Sequence, residues 1–123
     1  MKRLTGTLIL WLATLCAPAL AEITEYSQQS LLEANDQVVL IDVRTRGEYD
    51  SGHIPGAINI PFDAIRSQPG MLDQYRDRTI VTYCMKGGRA YSALESLEQA
   101  GYTKLGHLQG DYLGWTESQL PTE

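Results

Sequence analysis

Two apolar runs, Val38-Val39-Leu40-Ile41 and Thr79-Ile80-Val81-Thr82-Tyr83, constrain this chain more than any other feature. The first is continuous, without the polar alternation of a strand that has one wet face. That is how a strand buried on both sides of a parallel sheet reads. The second is a strong strand signal that ends at Cys84. Helical patterns lie around them. Ser27 can cap a helix running to about Ala34, with Leu31 and Leu32 as its apolar contacts. Ala57-Ile58-Asn59-Ile60 is a weaker strand, and Pro61 to Tyr75 reads as one or two short helices broken near Pro69-Gly70. Ala90, Ala93, Leu94, Leu97 and Ala100 fall at helical spacing, with Gly101 placed as a stop. Leu105 to Leu108 supplies a last strand, and a helix over about Asp111 to Ser118 closes the domain. Strands alternating with helices predict an α/β fold with a mainly parallel sheet.

Residues 1–21 stand apart from this pattern. Lys2 and Arg3 are followed by the apolar run Leu8 to Ala17, too short for a comfortable membrane span, and then by Ala19-Leu20-Ala21. Small residues at those two positions predict a cleaved export signal, with the cut between Ala21 and Glu22 and a periplasmic destination. Pro18 and the switch to Glu22-Ile23-Thr24-Glu25 argue against a retained anchor. Leu15 before Cys16, where a lipid-attachment signal needs a small residue, argues against a lipoprotein. Residues 22–123 are then one domain with eight basic and fifteen acidic groups. Such a chain is a poor partner for nucleic acid or an anionic membrane surface, and its size and acidity point to a monomer. Without Cys16 it has one thiol, Cys84, so neither an internal disulfide nor a Cys-x-x-Cys redox pair is available.

That thiol heads the segment Cys84-Met85-Lys86-Gly87-Gly88-Arg89-Ala90, which joins a strand to a helix. In α/β sheets reactive groups gather at the carboxyl ends of strands. Two glycines allow a tight curl with positive φ, and curled amides form an anion-binding nest. The following helix start adds partial positive charge, and Lys86 and Arg89 add two full charges. All of these favour thiolate over thiol, the form in which a cysteine is nucleophilic. They would equally favour an anionic substrate. A buried strand-end Cys before an ordinary glycine turn is the plainer alternative.

Three segments carry a resemblance to the single-domain rhodaneses. They are Asp42-Val43-Arg44-Thr45-Arg46-Gly47-Glu48-Tyr49 leading into Gly52-His53-Ile54-Pro55-Gly56-Ala57-Ile58-Asn59-Ile60-Pro61; Cys84 to Ala90; and Leu108-Gln109-Gly110-Asp111 followed by Trp115. The resemblance implies one rhodanese-like domain with helices on both faces of the sheet. It implies a sulfurtransferase in which Cys84 takes a sulfane sulfur from a small anionic donor such as thiosulfate. The persulfide then yields that sulfur to cyanide or a thiol, and no cofactor takes part. Backbone amides from Met85 to Ala90 would cradle the outer sulfur, Lys86 and Arg89 would offset the donor's charge, and Met85 would line the mouth. Asp42 and Arg44 are expected to tie loops together through charged hydrogen bonds, with contact between Arg44 and the substrate anion as the alternative. His53 is expected in a turn, and Trp115, Tyr91 and Tyr112 as core or rim aromatics. Neither His stands in a ligand-like cluster, so no metal site is expected. Asp111 replaces a glycine common in that family, which concerns a turn and could place a carboxylate near the pocket.

Two rivals share features of this loop. Phosphatases also use Cys and Arg around an amide-lined loop, but with five intervening residues; Met85 to Gly88 makes four, and Tyr83 replaces the His before the Cys. An inactive, partner-binding domain of the same family would usually have lost the Cys.

Overall fold

The computed structural model describes residues 5–9 and 22–123; the expected export signal falls almost wholly outside them. Five strands form one sheet: β1 (Ile23–Tyr26), β2 (Val38–Asp42), β3 (Ile58–Asn59), β4 (Thr79–Tyr83) and β5 (Leu105–Leu108). Their order is β1-β5-β4-β2-β3 and every pairing is parallel. Five helices connect them: α1 (Gln28–Ala34), α2 (Arg46–Asp50), α3 (Phe62–Ser67), α4 (Gly88–Gln99) and α5 (Asp111–Glu117), with 3-10 turns at Asn35–Gln37 and Pro69–Tyr75.

The period-two geometry of strands divides the apolar runs between two cores. Val39, Ile41 and Val43 of the β2 segment join Ile80 and Cys84 on one face. There Ile65 of α3 and Ala90, Ala93, Leu94 and Leu97 of α4 cover them. Leu40, Val81, Tyr83 and Leu108 face the other side, against Leu31 of α1 and Trp115 of α5. Thr82, the polar residue inside the second run, faces α4 and donates its hydroxyl to Ala90 O at 3.2 Å. A buried hydroxyl thereby keeps a partner. The single-domain α/β expectation, with helices on both faces, is met.

Register positions the chemistry. Asp42 lies beside Tyr83, and Thr82 beside His107. The residues that leave β2, β4 and β5 therefore emerge together at one edge of the sheet, with Cys84 on the middle strand.

Several local expectations hold. Ser27 Oγ accepts the Ser30 amide at 3.0 Å, the helix break falls at Gln68, and Gly101 takes φ +92° after α4. Leu32 is a correction: it is 48% exposed, because helical spacing turns only Leu31 of that pair inward. β1 was not anticipated. It is an edge strand with a single neighbour and two polar central residues, so it lacks a continuous apolar signature. Its Tyr26 ring occupies the space over Gly106, where a Cβ would come within 2.6 Å. α2 was also unanticipated, although Thr45 and Glu48 form a complete capping box there.

Leu94→Ala, at a fully buried α4 position, is expected to lower unfolding free energy by about 2–5 kcal/mol. Leu32→Ala is expected to change it by less than about 0.5 kcal/mol. Denaturant titration of both variants checks the two-faced core.

Candidate active site

The site begins with a buried charge. Asp42, at the end of β2, is fully excluded from solvent, and Arg44 two residues on is nearly so. Arg44 donates its backbone amide to Oδ1 at 2.9 Å, Nε to both carboxylate oxygens at 3.0 and 3.1 Å, and Nη2 to Oδ2 at 2.7 Å. The Tyr83 hydroxyl donates to Oδ2 at 2.8 Å and accepts the Ile54 amide at 3.1 Å. Arg44 Nη2 also donates to Gly52 O at 2.7 Å. Charged groups survive burial only when donors and acceptors are matched in this way. Burial and the Asp42 charge push the Tyr83 phenol well above its usual range. For Arg44, burial alone would weaken protonation, but Asp42 outweighs it and the guanidinium is held firmly charged. Its central carbon lies 4.1 Å from the Tyr112 ring centre. As expected, Asp42 and Arg44 tie the 44–54 loop to two strand ends.

A second ion pair spans the rim. Arg89 of α4 meets Glu48 of α2 at 2.6 and 3.0 Å. Hydrogen bonding from Arg89, chiefly, holds the Glu48 carboxyl down at about 2. Glu48 thereby already matches the charge that Arg89 is expected to bring to an anionic donor. Lys86 is exposed, with no side-chain hydrogen bond or ion pair among the described residues. Arg44, Gly47, Glu48, Ser51, Gly52, Met85 and Tyr112 line a cavity of about 360 Å³, which puts Met85 at a mouth as expected. A larger cavity of about 640 Å³ lies against α1 and β2 and includes none of the 84–90 segment.

Cys84 itself is buried, at 2% exposure. The Gly87 amide donates to its Sγ at 2.9 Å. Gly87 has φ +121°, in the left-handed half of backbone space where a glycine is favoured. Gly88 does not share that conformation; it is the first residue of α4. The curl therefore needs one glycine rather than two. Gly88, Arg89 and Ala90 lie in the first turn of α4, where amides lack intrahelical partners. Behind the sulfur, the Cys84 amide donates to Asp111 Oδ1 at 3.0 Å, and that oxygen lies 3.8 Å from Sγ. The first amides of α5 close the loop, Tyr112 N donating to Cys84 O and Leu113 N to Met85 O.

His107 is the residue that sequence reasoning missed. It sits between two carboxylates, Glu25 at 2.8 Å from Nδ1 and Asp111 at 3.0 Å from Nε2. Its i,i+4 spacing to Asp111 was visible, but Glu25 lies on the unanticipated β1. His53 matches expectation, with Nδ1 at 2.9 Å from Tyr49 O and its ring stacked on Tyr49 at 3.7 Å. Trp115 is core, while Tyr91 and Tyr112 lie nearer the rim.

A parallel sheet presenting a Cys-headed, amide-lined loop beside a buried Asp–Arg pair has counterparts. Residues 25–118 match the model of the rhodanese-like domain. The chain belongs to the rhodanese-like family. A sulfurtransferase of Allochromatium vinosum is 35% identical over 100 residues, which cover 81% of this chain and 92% of that protein. The probable adenylyltransferase/sulfurtransferase MoeZ of Mycobacterium tuberculosis is 37% identical over 99 residues, 80% of this chain. This rhodanese-like chain spans only 25% of that relative's length. Among solved structures, a rhodanese-related protein of Thermoplasma volcanium superposes with TM-score 0.72 at 28% identity, over 81% of this chain and 97% of its own. Sulfurtransferase is thereby supported at the level of the family.

Asp42→Ala, which strands the Arg44 charge in the interior, is expected to cost about 3–5 kcal/mol of stability. Arg46→Ala, which removes an exposed pair with Asp50, is expected to cost at most about 1 kcal/mol. Equilibrium unfolding of both tests the assignment of the hub. The lowered Glu48 carboxyl stabilises the fold above its ordinary titration range, and that contribution is lost as pH falls toward about 2. Melting temperatures recorded against pH should show a shallower acid decline in Glu48→Gln.

Proposed function

We propose that this rhodanese-like domain is a sulfurtransferase that carries a sulfane sulfur on Cys84, taken from thiosulfate or a related donor and passed to cyanide or a thiol. The observation that carries this reading is the Gly87 amide donating to Sγ at 2.9 Å, in a loop that runs straight into a helix start. In the first step the thiolate attacks the outer sulfur of thiosulfate. The S–S bond breaks, sulfite leaves with the bonding pair, and a Cys84 persulfide anion remains. In the second, the carbon of cyanide attacks the outer sulfur, Sγ departs with its electron pair, and thiocyanate is released. Both steps keep negative charge near Sγ. Preorganised amides stabilise such charge without reorganising during the reaction. Because Arg89 is matched by Glu48, the amides rather than the guanidinium bear most of this work.

A four-residue spacing between Cys84 and Arg89 and the engagement of Arg89 with Glu48 count against phosphate transfer, which needs a larger cradle and a free guanidinium. Retention of the Cys with its amide donor counts against an inactive binding module. Export of the domain to the periplasm, with cleavage between Ala21 and Glu22, completes the reading. N-terminal sequencing of protein recovered from secreting cells tests it, and an intact Met1 in mature protein would overturn it.

Incubation with thiosulfate should raise the intact mass by one sulfur atom, and cyanide should discharge it as thiocyanate. Cys84→Ser is expected to do neither while melting like the wild type; an active Ser variant would refute the persulfide route. Lys86→Ala is expected to raise the KM for thiosulfate with little effect on stability. Identical kinetics would show that the amides suffice.

A further inference from the structure

We infer that Asp111 and His107 form a charge-controlled pair behind Cys84, positioning residues that admit anionic sulfur donors while the imidazole is doubly protonated and repel them once it is not. The role assigned to the pair rests on the sulfurtransferase reading, because it is the donor's charge that the pair meets.

Geometry fixes the proton count. His107 and Asp111 are both more than nine-tenths buried. One ring nitrogen faces Glu25 Oε2 at 2.8 Å, and the other faces Asp111 Oδ1 and Oδ2 at 3.0 and 3.1 Å. Ionised carboxylates only accept hydrogen bonds, and a neutral imidazole has a single N–H, so only the imidazolium satisfies both sides. Burial works against that charge, but hydrogen bonds and attraction from Asp111 and Glu25 outweigh it and hold the His107 proton above its usual range.

Asp111 then connects this proton to the sulfur. Its Oδ1 takes the Cys84 amide, takes His107 Nε2, and lies 3.8 Å from Sγ. The residue keeps φ +54°, a left-handed conformation costly for most side chains other than Asn and Asp. A Cβ on Gly87 would come 3.1 Å from Asp111 Oδ2 and 3.8 Å from His107 Nε2, so the pair packs directly against the curled loop.

Apart from the exposed Lys86 of the loop itself, the charged groups around this pair are engaged by partners. Glu25 from β1 and Tyr91 from α4 flank His107, the Tyr91 ring centre 4.3 Å from the imidazole. Arg89 from α4 is the cation that feels Cys84, and Glu48 from α2 neutralises it. Asp42 is matched by Arg44. With His107 protonated, its charge is shared between Glu25 and Asp111 and offsets part of the repulsion that Asp111 exerts on the sulfur. Without that proton, a bare carboxylate stands 3.8 Å from Sγ and opposes an incoming dianion.

Alkylation of Cys84 by iodoacetate, an anion, and by its neutral counterpart iodoacetamide tests the pair on the full chain, read by peptide mass. The His107 ring is titrated in parallel by NMR. The rate ratio of the two reagents cancels thiolate fraction, access and folded population. In the wild type the ratio is expected to fall about tenfold as His107 deprotonates, the equivalent of one pKa unit of interaction. His107→Gln, which keeps a donor for Asp111 without charge, should hold the ratio low at every pH. Asp111→Asn, which keeps an acceptor for the Cys84 amide, should hold it high. The kcat/KM for thiosulfate, which in a two-step exchange reports only the first step, should fall with the wild-type ratio and follow the same order in the variants. A wild-type ratio that stays flat while His107 titrates, or variants that move in the same direction, would overturn the pair. Opposite shifts in a protein that transfers no sulfur at any pH would uphold the pair and refute the sulfurtransferase reading alone.

Discussion

A carboxylate with no access to water must find all its solvation in the protein, and Asp42 is that carboxylate. Arg44 answers it through backbone and guanidinium, and the Tyr83 hydroxyl does so from the neighbouring strand. The same donors then hold Gly52 O and the Ile54 amide, so the loop above the sheet edge has little freedom to drift. Removing any partner would strand a charge or a polar group in the interior, where each costs far more than a surface contact. The position of the loop that walls the cavity beside Met85 follows from this one requirement.

Around Cys84 most charges lie in hydrogen-bonded groups: Asp42 with Arg44, Glu48 with Arg89, and Glu25 and Asp111 sharing His107, while Lys86 is exposed. An acidic chain can therefore maintain an anion-tolerant site without a basic surface. Closest to the sulfur are dipoles: the Gly87 amide and the opening turn of α4. Fixed dipoles attract charge at short range and keep their orientation as charge develops. A site of this kind depends on backbone conformation more than on any one side chain, which is why the φ +121° residue Gly87 matters so much.

How much of this the sequence revealed follows from the range of each interaction. Strands β2 and β4 were legible because continuous apolar runs report burial directly. The Cys84 loop was legible because residues 84–90 are contiguous, and Asp42 with Arg44 because their partnership is local. Glu25 was not, since 82 residues separate it from His107 and it lies on an edge strand without an apolar pattern. Glu48 with Arg89 was missed for a similar reason, at a separation of 41 residues. Both pairings depend on strand order, which puts β1 beside β5 and β2 beside β4. The capping box at Thr45 and Glu48 is different: its signal was present and local, and it went unread.

The start of α5 contributes Asp111 to the Cys84 amide, Tyr112 N to Cys84 O and Leu113 N to Met85 O. During synthesis they leave the ribosome after the thiol they surround, Asp111 following Cys84 by 27 positions. Until they dock, Cys84 is an ordinary cysteine on an unfinished strand, without the carboxylate at its back or the closed loop around it. The surroundings of the nucleophile are thus completed only when a segment made well after it folds back, and a chain stopped short of α5 lacks them.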